Sequence, residues 1–426
     1  MKYAFTAEQI ADPQLGPATK AIRSCVHCGI CTATCPTYVL LGDERDSPRG
    51  RIVLMKDMLE KGGAPTQEQV YHIDRCLSCL NCKTACPSSV NYQRLVDQAR
   101  THIQDHYKRP LGDRLLRFAI AKVMTRPALV RIGLLLAKVT APLAAILPGR
   151  LGAMARIGLS ARPQGPEPTQ FPKPAQTKQR IAIMPGCVQG ALSPQIDSAV
   201  GRVLARRGIE LVALEGAGCC GALPHHMGRE HDSQMWAKKA ILAYEQGRYD
   251  GVLITATGCS SQLKDYAHQF AGDPVWEKRA AAFAAAARDF AELGTPLSVT
   301  PPQALRVAYH PACSLQNSLK LNGVGEAMLE AAGFTVAPFA ESHLCCGSAG
   351  TYSILQPELS SQLRDRKLGN IAAAAPEVLV SGNIGCLQHL ASGKGLDQPI
   401  LHIAELLDWA EGGPKPANLE LPGKPH

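Results

Sequence analysis

The sequence has no long uninterrupted apolar run. Its first residues, MKYAFTAEQIADPQ, offer none of the continuous hydrophobic segment that a secretory signal needs. The longest apolar stretch, residues 132–148, contains Lys138, Thr140 and Pro142 and therefore falls short of a good membrane-spanning helix. These absences argue against a spanning anchor and lead us to expect a cytoplasmic protein.

Aromatic residues are also few, since they make up 5% of the chain with three tryptophans. Proteins that bind nucleic-acid strands commonly stack bases on aromatic side chains. A zinc-bearing nucleic-acid-binding protein is therefore a poor fit, and we expect no nucleic-acid partner.

Acidic residues are missing from one long segment. The net charge of +9 is concentrated in residues 94–160, which hold twelve Lys and Arg against three Asp, and residues 114–160 contain eight basic residues and no acidic one. The apolar runs LLRFAIAKVM, IGLLLAKV and APLAAILP interrupt these charges, and Arg131 and Lys138 share one helical face. Such a segment can lie on an anionic membrane surface; the alternative is a helix that packs against a protein.

Cysteine, by contrast, is abundant. The chain has 16 cysteines, eight in each half. In a reducing compartment, cysteines at regular spacings are more typical of metal or cluster ligands than of disulfides.

The first eight cysteines form two runs, CVHCGICTATCP and CLSCLNCKTACP, with the spacing C-x2-C-x2-C-x3-C-P. This is the ligand pattern of proteins that carry two [4Fe–4S] clusters, in which the fourth cysteine of each run binds the other cluster. Two zinc sites are the alternative. We assign Cys25, Cys28, Cys31 and Cys86 to one cluster, and Cys76, Cys79, Cys82 and Cys35 to the other.

The segment GDERDSPRGRI lies between these runs and contains Arg49 and Arg51. Basic residues near an anionic cluster could tune its reduction potential, but a solvated charged loop fits the sequence equally well. We assign these residues no role.

The second half is an internal repeat. Cys187, Cys219 and Cys220 recur 126 residues later as Cys313, Cys345 and Cys346, and Cys259 recurs as Cys386 after 127 residues. Each cysteine position follows a short β-branched or apolar run, which predicts strands that alternate with helices in a parallel α/β sheet. The carboxyl ends of such strands are where these folds place ligands.

The cysteines of the repeats are candidate metal ligands. Buried cysteines that serve as small hydrophobic residues are the alternative. Cys386 is followed three residues later by His389, which is a weaker ligand candidate because Gln262 takes its place in the first repeat. A histidine satisfied by hydrogen bonds is the favoured interpretation of His389. The candidates are Cys187, Cys219, Cys220, Cys259, Cys313, Cys345, Cys346 and Cys386.

Residues 161–180 contain five prolines, which predicts a stiff linker that divides the chain in two. With the cysteine runs and the repeat, this gives six segments. The predicted fold is α+β and α/β, with a helical ferredoxin-like domain followed by a duplicated α/β cysteine-rich domain. The segments are a two-cluster domain (1–110), a basic apolar helical segment (111–160), the linker (161–180), two repeats (181–300 and 301–412) and a flexible tail (413–426).

The two ferredoxin runs, GDERDSPRGRI, ESHLCCGSAGTY and SGNIGCLQHLASG together closely resemble the iron–sulfur subunits of bacterial glycolate oxidase (glycolate dehydrogenase). These belong to a superfamily with a CCG domain, which also includes subunits of anaerobic glycerol-3-phosphate dehydrogenase and of heterodisulfide reductase. The resemblance implies that a separate FAD-containing subunit oxidises glycolate to glyoxylate. This chain would relay the electrons towards the quinone pool from the inner face of the cytoplasmic membrane.

The sequence departs from the family at one point, because the fuller pattern ends each repeat in C-x2-C and here the last positions are Gln262 and His389. The repeats are thus expected to hold a simpler iron–sulfur cluster, zinc or no metal. The missing cysteines also argue against a catalytic, heterodisulfide-reductase-like role, while a subunit of a glycerol-3-phosphate or lactate dehydrogenase stays an alternative. Without a convincing flavin-binding motif, no catalytic residue is assigned.

Overall fold

The computed structural model describes residues 3–139, 149–160, 168–295 and 297–420. Within these ranges, every regular element before residue 161 is a helix. Helices α1 to α10 span Ala7–Ala11, Gly16–Ser24, Pro36–Leu41, Pro48–Lys61, Gln67–Asp74, Asn81–Thr84, Tyr92–His106, Leu111–Val123, Pro127–Val139 and Gly149–Ser160.

Helix α7 is the centre of the amino-terminal core. Its apolar residues recur at helical spacing, and Leu95, Val96, Ala99 and Ile103 are completely buried. They pack against buried side chains of α2, α4 and α5. This core fixes the ends of the helices from which the two cysteine runs start.

The second half contains two four-stranded parallel sheets, in the orders β2-β1-β3-β4 and β6-β5-β7-β8. Strands β1 to β8 span Gln179–Ile183, Ile209–Ala213, Gly251–Ile254, Ala287–Asp289, Arg306–Tyr309, Thr335–Val336, Val378–Ser381 and Ile400–His402. Helices α11 to α23 span Gln189–Leu192, Gln195–Arg206, Ala222–His226, Glu230–Glu245, Thr257–Lys264, Tyr266–Gln269, Trp276–Ala286, Phe290–Leu293, Val324–Ala331, Tyr352–Leu355, Pro357–Ala373, Ile384–Ala391 and Ile403–Ala410.

The central strands are short apolar segments because helices cover both faces of each sheet. Ile181 on β1 pairs with Leu211 on β2 and with Gly251 on β3, and Val307 on β5 pairs in the same way with β6 and β7. The chain reverses its direction of winding between β1 and β3 and between β5 and β7. Such a switch point opens a crevice at the carboxyl ends of the two strands.

The two repeats share one hydrophobic core. Ile181 and Leu253 of the first sheet belong to the same buried cluster as Val307 and Leu379 of the second. Asp408 on α23 forms ion pairs with two arginines of α12, Arg202 (2.8 Å) and Arg206 (2.9 Å). The predicted fold, a helical two-cluster domain followed by a duplicated α/β domain, is confirmed.

Described parts of the structure cross two of the predicted segment boundaries. Strand β1 begins at Gln179, within the predicted linker, and Phe171 packs against Gly201 rather than lying free. Leu419 is 1% exposed and joins the shared core, so the predicted tail is docked at least up to residue 420. Residues 161–167 of the linker and 421–426 of the tail lie outside the described residues.

None of the helices in the described ranges has the length and hydropathy needed to cross a bilayer.

Candidate iron–sulfur and cysteine-rich sites

The two cysteine runs adopt the same backbone shape. The amide nitrogens of Cys25 and Cys76 each bond a carbonyl at the end of the preceding helix, at 3.1 Å. Two residues later the backbone is left-handed, at His27 (φ 56°) and Ser78 (φ 52°), and two residues after that it is left-handed again, at Gly29 and Leu80. For residues other than glycine this conformation costs about 1–2 kcal/mol each, so the tertiary structure imposes the curl of both loops.

The first predicted ligand set lines one cavity. Cys25, Cys28, Cys31 and Cys86 all border it, and Cys82 of the other set borders it as well. Burial raises the pKa of Cys31 to about 11, and the neighbouring Cys25 and Cys35 thiols act in the same direction. Because burial and mutual repulsion both oppose ionisation, four thiolates so close together are stabilised only when a cation takes up their charge.

The second predicted set is also assembled. Burial raises the pKa of Cys79 and of Cys82 well above the ordinary value, and both thiols interact electrostatically with Cys35 and Cys76. The amide nitrogen of Ser78 bonds Cys76 Sγ at 3.4 Å. The structure therefore brings the members of each predicted set together and places the sets side by side. A pair of four-sulfur donor sets fits two [4Fe–4S] clusters.

Arg51 is buried beside the second set. Its side chain is 1% exposed, its Nη2 lies 3.0 Å from Asp46 Oδ1, and its Nη1 lies 3.9 Å from Cys35 Sγ. Its Nε donates to the carbonyl of His72 at 2.7 Å. Ser47 caps α4, and Arg51 lies on the buried face of this helix. For Arg51, the alternative of a solvated loop is wrong.

Arg49 lies beside the first set. It borders the same cavity as Cys25, and its Nη1 donates to the carbonyl of His27 at 3.4 Å. A Cβ at position 29 would lie 2.4 Å from that nitrogen, so the close approach of Arg49 requires Gly29. Each cysteine set thus has one arginine of the GDERDSPRGRI segment against it.

The cysteines of the first repeat converge at the switch point of their sheet. Cys187 follows β1, Cys219 and Cys220 follow β2, and Cys259 lies on α15 after β3. Cys219 contacts Cys187 and Cys220, and Cys220 contacts Cys259. Hydrogen bonds from these neighbouring thiols and burial raise the pKa of Cys219 and of Cys259 well above the ordinary value. Gly221 is left-handed (φ 78°), and a Cβ there would meet the backbone oxygen of Ser233 at 3.0 Å.

The cysteines of the second repeat are arranged in the same way, and a histidine lies beside them. Cys313 Sγ lies 4.0 Å from Cys345 Sγ, and Cys346 interacts with Cys386. His310, which directly follows β5, places a ring nitrogen within 4.8 Å of both the Cys346 and the Cys386 sulfur atoms. The sequence interpretation did not single out His310. The signal for it was its position between a predicted strand and Cys313.

His389 is hydrogen-bonded inside the protein, which is the interpretation that the sequence favoured over a ligand role. Its Nε2 lies 3.1 Å from Ser360 Oγ and 3.2 Å from the Ser360 carbonyl oxygen. Burial lowers its pKa to about 4, so it is neutral. It is a hydrogen-bonded core histidine, and Gln262 at the matching position is likewise buried.

The ferredoxin-like domain abuts the second repeat. Asn317 Nδ2 donates to the Cys79 carbonyl at 2.9 Å, and Asn81 Nδ2 donates to the His343 carbonyl at 2.9 Å. Cys79 shares an apolar cluster with Cys313 and Cys345. The second cluster set is therefore in contact with the cysteines of the second repeat.

Several basic residues of the segment predicted to dock on a membrane form ion pairs within the protein. Arg117 pairs with Asp74 at 2.9 Å, Lys122 with Asp232 at 3.3 Å, and Arg150 with Asp113 at 2.7 Å. These three side chains are therefore paired within the protein. The run APLAAILP falls on residues 141–148, which lie outside the described residues.

The same segment exposes a row of apolar side chains. Leu111, Leu115 and Phe118 follow each other at helical spacing on α8 and are 74%, 68% and 51% exposed. Ile132 and Leu135 on α9 are 53% and 63% exposed. We call these five residues the apolar stripe. A groove of about 540 Å³, bordered by Arg114 and Arg229, lies beside it.

Comparisons with known proteins agree with this architecture. A family model described as a 4Fe–4S dicluster domain matches residues 21–90, and one described as a cysteine-rich domain matches residues 181–264 and 307–391. The chain is 39% identical to the glycolate oxidase iron–sulfur subunit of Escherichia coli, over 96% of this chain and 99% of that one. This chain belongs to the family of glycolate oxidase iron–sulfur subunits.

Other relatives cover less or are more distant. A probable glycolate oxidase iron–sulfur subunit of Bacillus subtilis is 30% identical over 92% of this chain and 94% of its own. Lactate utilization protein A of an Exiguobacterium species is 29% identical over 54% of this chain and 96% of its own. The crystal structure of a hypothetical protein from Helicobacter pylori matches with a TM-score of 0.53 at 9% identity, covering 86% of this chain and 68% of that one, and shows a shared fold.

Proposed function

We propose that this chain is the electron-transfer subunit of a glycolate dehydrogenase complex, in which an FAD-containing subunit oxidises glycolate to glyoxylate. The observation that carries the proposal is the contact between the two cysteine sets, since adjacent redox centres let electrons pass through one chain. Family membership supports glycolate as the substrate of the complex.

We assign Cys25, Cys28, Cys31 and Cys86 to one [4Fe–4S] cluster and Cys35, Cys76, Cys79 and Cys82 to the other. When bound, such clusters accept and release single electrons at potentials set by net charge, hydrogen bonds to sulfur and solvent exposure. Cys28 is the one exposed cysteine of the 16, so the first set is the nearer to the surface. We propose that electrons enter there from the flavoprotein.

The second set lies deeper in the interior of the protein. Arg51 places a positive charge 3.9 Å from Cys35 Sγ, where it would stabilise the negative charge of a bound cluster. The Asn81 and Asn317 amides hold the Cys79 loop against the second repeat. This arrangement supports an electron path that continues from the second cluster towards Cys313 and Cys345.

The apolar stripe supports a peripheral location at the membrane, where quinone is available. Apolar side chains at helical spacing beside exposed Arg114 and Arg126 suit a helix that lies at an anionic lipid surface. Docking of the stripe on the flavoprotein is the competing use of the same surface.

The test combines the purified chain with its flavoprotein partner under anaerobic conditions. Glycolate should bleach the cluster absorbance near ~400 nm only when the flavoprotein is present. Glycolate oxidation by the isolated, flavin-free chain would contradict the proposal. Faster bleaching with lactate than with glycolate would favour a lactate dehydrogenase; the Exiguobacterium relative is named lactate utilization protein A.

A further inference from the structure

His310 is buried without a hydrogen-bond partner. Its side chain is 1% exposed, and neither Nδ1 nor Nε2 has a donor or acceptor among the described residues. A neutral imidazole carries one N–H donor and one lone pair, and leaving a buried polar group unsatisfied costs about 1–3 kcal/mol. A buried imidazole is therefore expected to have a hydrogen-bond partner or a bound metal ion, and the protein atoms around His310 supply no hydrogen bond.

Two other buried histidines of this repeat show the ordinary solution. His389 bonds Ser360, as described above, and His402 Nε2 lies 3.3 Å from the Thr255 carbonyl oxygen. Each of these rings has a protein partner on at least one nitrogen, although His389 Nδ1 has none among the described residues. His310 faces sulfur, because one of its nitrogens lies within 4.8 Å of Cys346 Sγ and of Cys386 Sγ.

The first repeat provides an internal comparison. The amide of His310 donates to the Val380 carbonyl at 2.7 Å, and the amide of Met184 donates to the equivalent Leu253 carbonyl at 2.8 Å. The two residues therefore occupy the same position, directly after the first strand of each sheet. Methionine at this position shows that the fold does not need a histidine there.

A second substitution distinguishes the same two sites. Lys367 on α21 is 2% exposed and donates to the Glu341 and Ser342 carbonyls. Aligning Ser360 with Ser233, which pack against the equivalent glycines, places Lys367 opposite Ala240 of the first repeat. At these two positions the second repeat has an imidazole and a buried ammonium group, whereas the first repeat has the apolar side chains of Met184 and Ala240.

We propose that the metal centre of the second repeat takes His310 as a ligand together with Cys346 and Cys386, and with Cys313 and Cys345 close by, whereas the first repeat holds its centre through cysteine alone. Mixed thiolate and imidazole ligation is available to zinc and to iron–sulfur clusters. Asn383 Nδ2, 3.2 Å from Cys386 Sγ, supplies a hydrogen bond that stabilises one of the thiolates.

The test uses the full chain, purified anaerobically after growth with ¹⁵N-labelled histidine. His310→Met installs the residue of the first repeat, His310→Cys retains a ligand, and His389→Gln is the control for a buried histidine outside the site. Pulsed electron paramagnetic resonance detects histidine nitrogen coupled to a paramagnetic iron centre, and X-ray absorption counts nitrogen neighbours of zinc.

The wild-type chain and His389→Gln should show the histidine nitrogen signal, and both His310 variants should lose it. In competition with a chelator, His310→Met should release the metal of the second repeat at least about tenfold more readily, while His310→Cys should restore retention. The cluster signals of the ferredoxin-like domain should be unchanged in all variants, which separates this result from a failure of the proposed function. A nitrogen signal that persists in His310→Met, or a wild-type chain without any metal in the second repeat, would overturn the proposal.

Discussion

The guanidinium group of Arg51 lies 3.9 Å from the sulfur of Cys35, and both side chains are buried. A full positive charge in the interior is stable here because Asp46, which is completely buried, accepts from Arg51 at 3.0 Å and from Arg75 at 2.8 Å. The same charge faces a cysteine that we assign to a cluster. One arginine thus joins the stability of the domain to the electrostatics of the proposed redox centre.

Replacing Arg51 by methionine should destabilise the ferredoxin-like domain by about 3–5 kcal/mol, since Asp46 would lose one of its buried counter-charges. Iron should also be lost more readily from the cluster held by Cys35 than from the other. Chemical denaturation monitored by circular dichroism, with iron analysis after chelator treatment, measures both effects.

Arg45→Met provides the matched control, because Arg45 pairs with Asp43 and Glu68 but its side chain is 54% exposed. Exposed pairs contribute little, so this variant should behave like the wild type. An Arg51 variant with an unchanged denaturation midpoint would show that the buried pair is not important for stability.

The burial of Arg51 could not be predicted from the sequence, because GDERDSPRGRI contains six charged residues and reads as a solvated loop. Asp46 lies five residues from Arg51 in the same segment, but His72 is 21 residues away, and only the packing of α4 against α5 brings it to Arg51. The cysteine sites, by contrast, could be predicted from the sequence. Local spacing identified the two runs, and a repeat offset of 126 placed the later cysteines at equivalent strand ends.

His310 shows a second limit of the sequence. A single histidine before a cysteine has no diagnostic spacing, and His389 matched a ligand pattern better. The distinction depends on side-chain direction, since His389 lies against Ser360 while His310 faces Cys346 and Cys386. Comparing the two repeats position by position would have revealed the contrast with Met184.

Cys28→Ala should remove one [4Fe–4S] cluster, because Cys28 borders the cavity of the first set. We expect a loss of about four iron atoms per chain, with the second cluster weakened because Cys31 and Cys82 lie close together. Iron and sulfide analysis of anaerobically prepared protein measures the loss. Cys79→Ala should remove the other cluster, and identical spectra of the two variants would contradict the division into two sets.

The junction between the ferredoxin-like domain and the first repeat should be sensitive to pH. His225 Nδ1 lies 2.7 Å from Glu230 Oε2, and its Nε2 lies 3.4 Å from Asp97 Oδ2. Burial lowers the pKa of His225, but these two carboxylates outweigh it and raise the pKa well above 6.5. The stabilisation by the charged imidazole is therefore fully present below pH 6.5 and is lost as the pH rises through the raised pKa.

Comparison of the wild type with His225→Gln over pH 5.5–9 tests this junction. The difference between their thermal midpoints should be largest at the acidic end and should shrink as the pH rises. Burial raises the pKa of Asp97, but His225 outweighs it and lowers that pKa to about 2, so Asp97 of the wild type stays ionised in this range. A difference that is independent of pH would show that His225 is neutral in the folded protein.

The last prediction concerns the apolar stripe on α8 and α9. Replacing Leu115 and Phe118 together by serine should weaken co-sedimentation with anionic vesicles about tenfold or more, because burying each of these side chains contributes about 1.5–3 kcal/mol when burial is complete. Leu242→Ser is the control, since Leu242 is 43% exposed but lies on α14, away from the stripe. Binding of the wild type should require anionic lipid and weaken with salt, as the Debye length falls to about 3 Å at 1 M. If the vesicles bind the wild type and the double variant equally, while the double variant no longer assembles with the flavoprotein, the stripe is a protein interface and the membrane assignment is wrong.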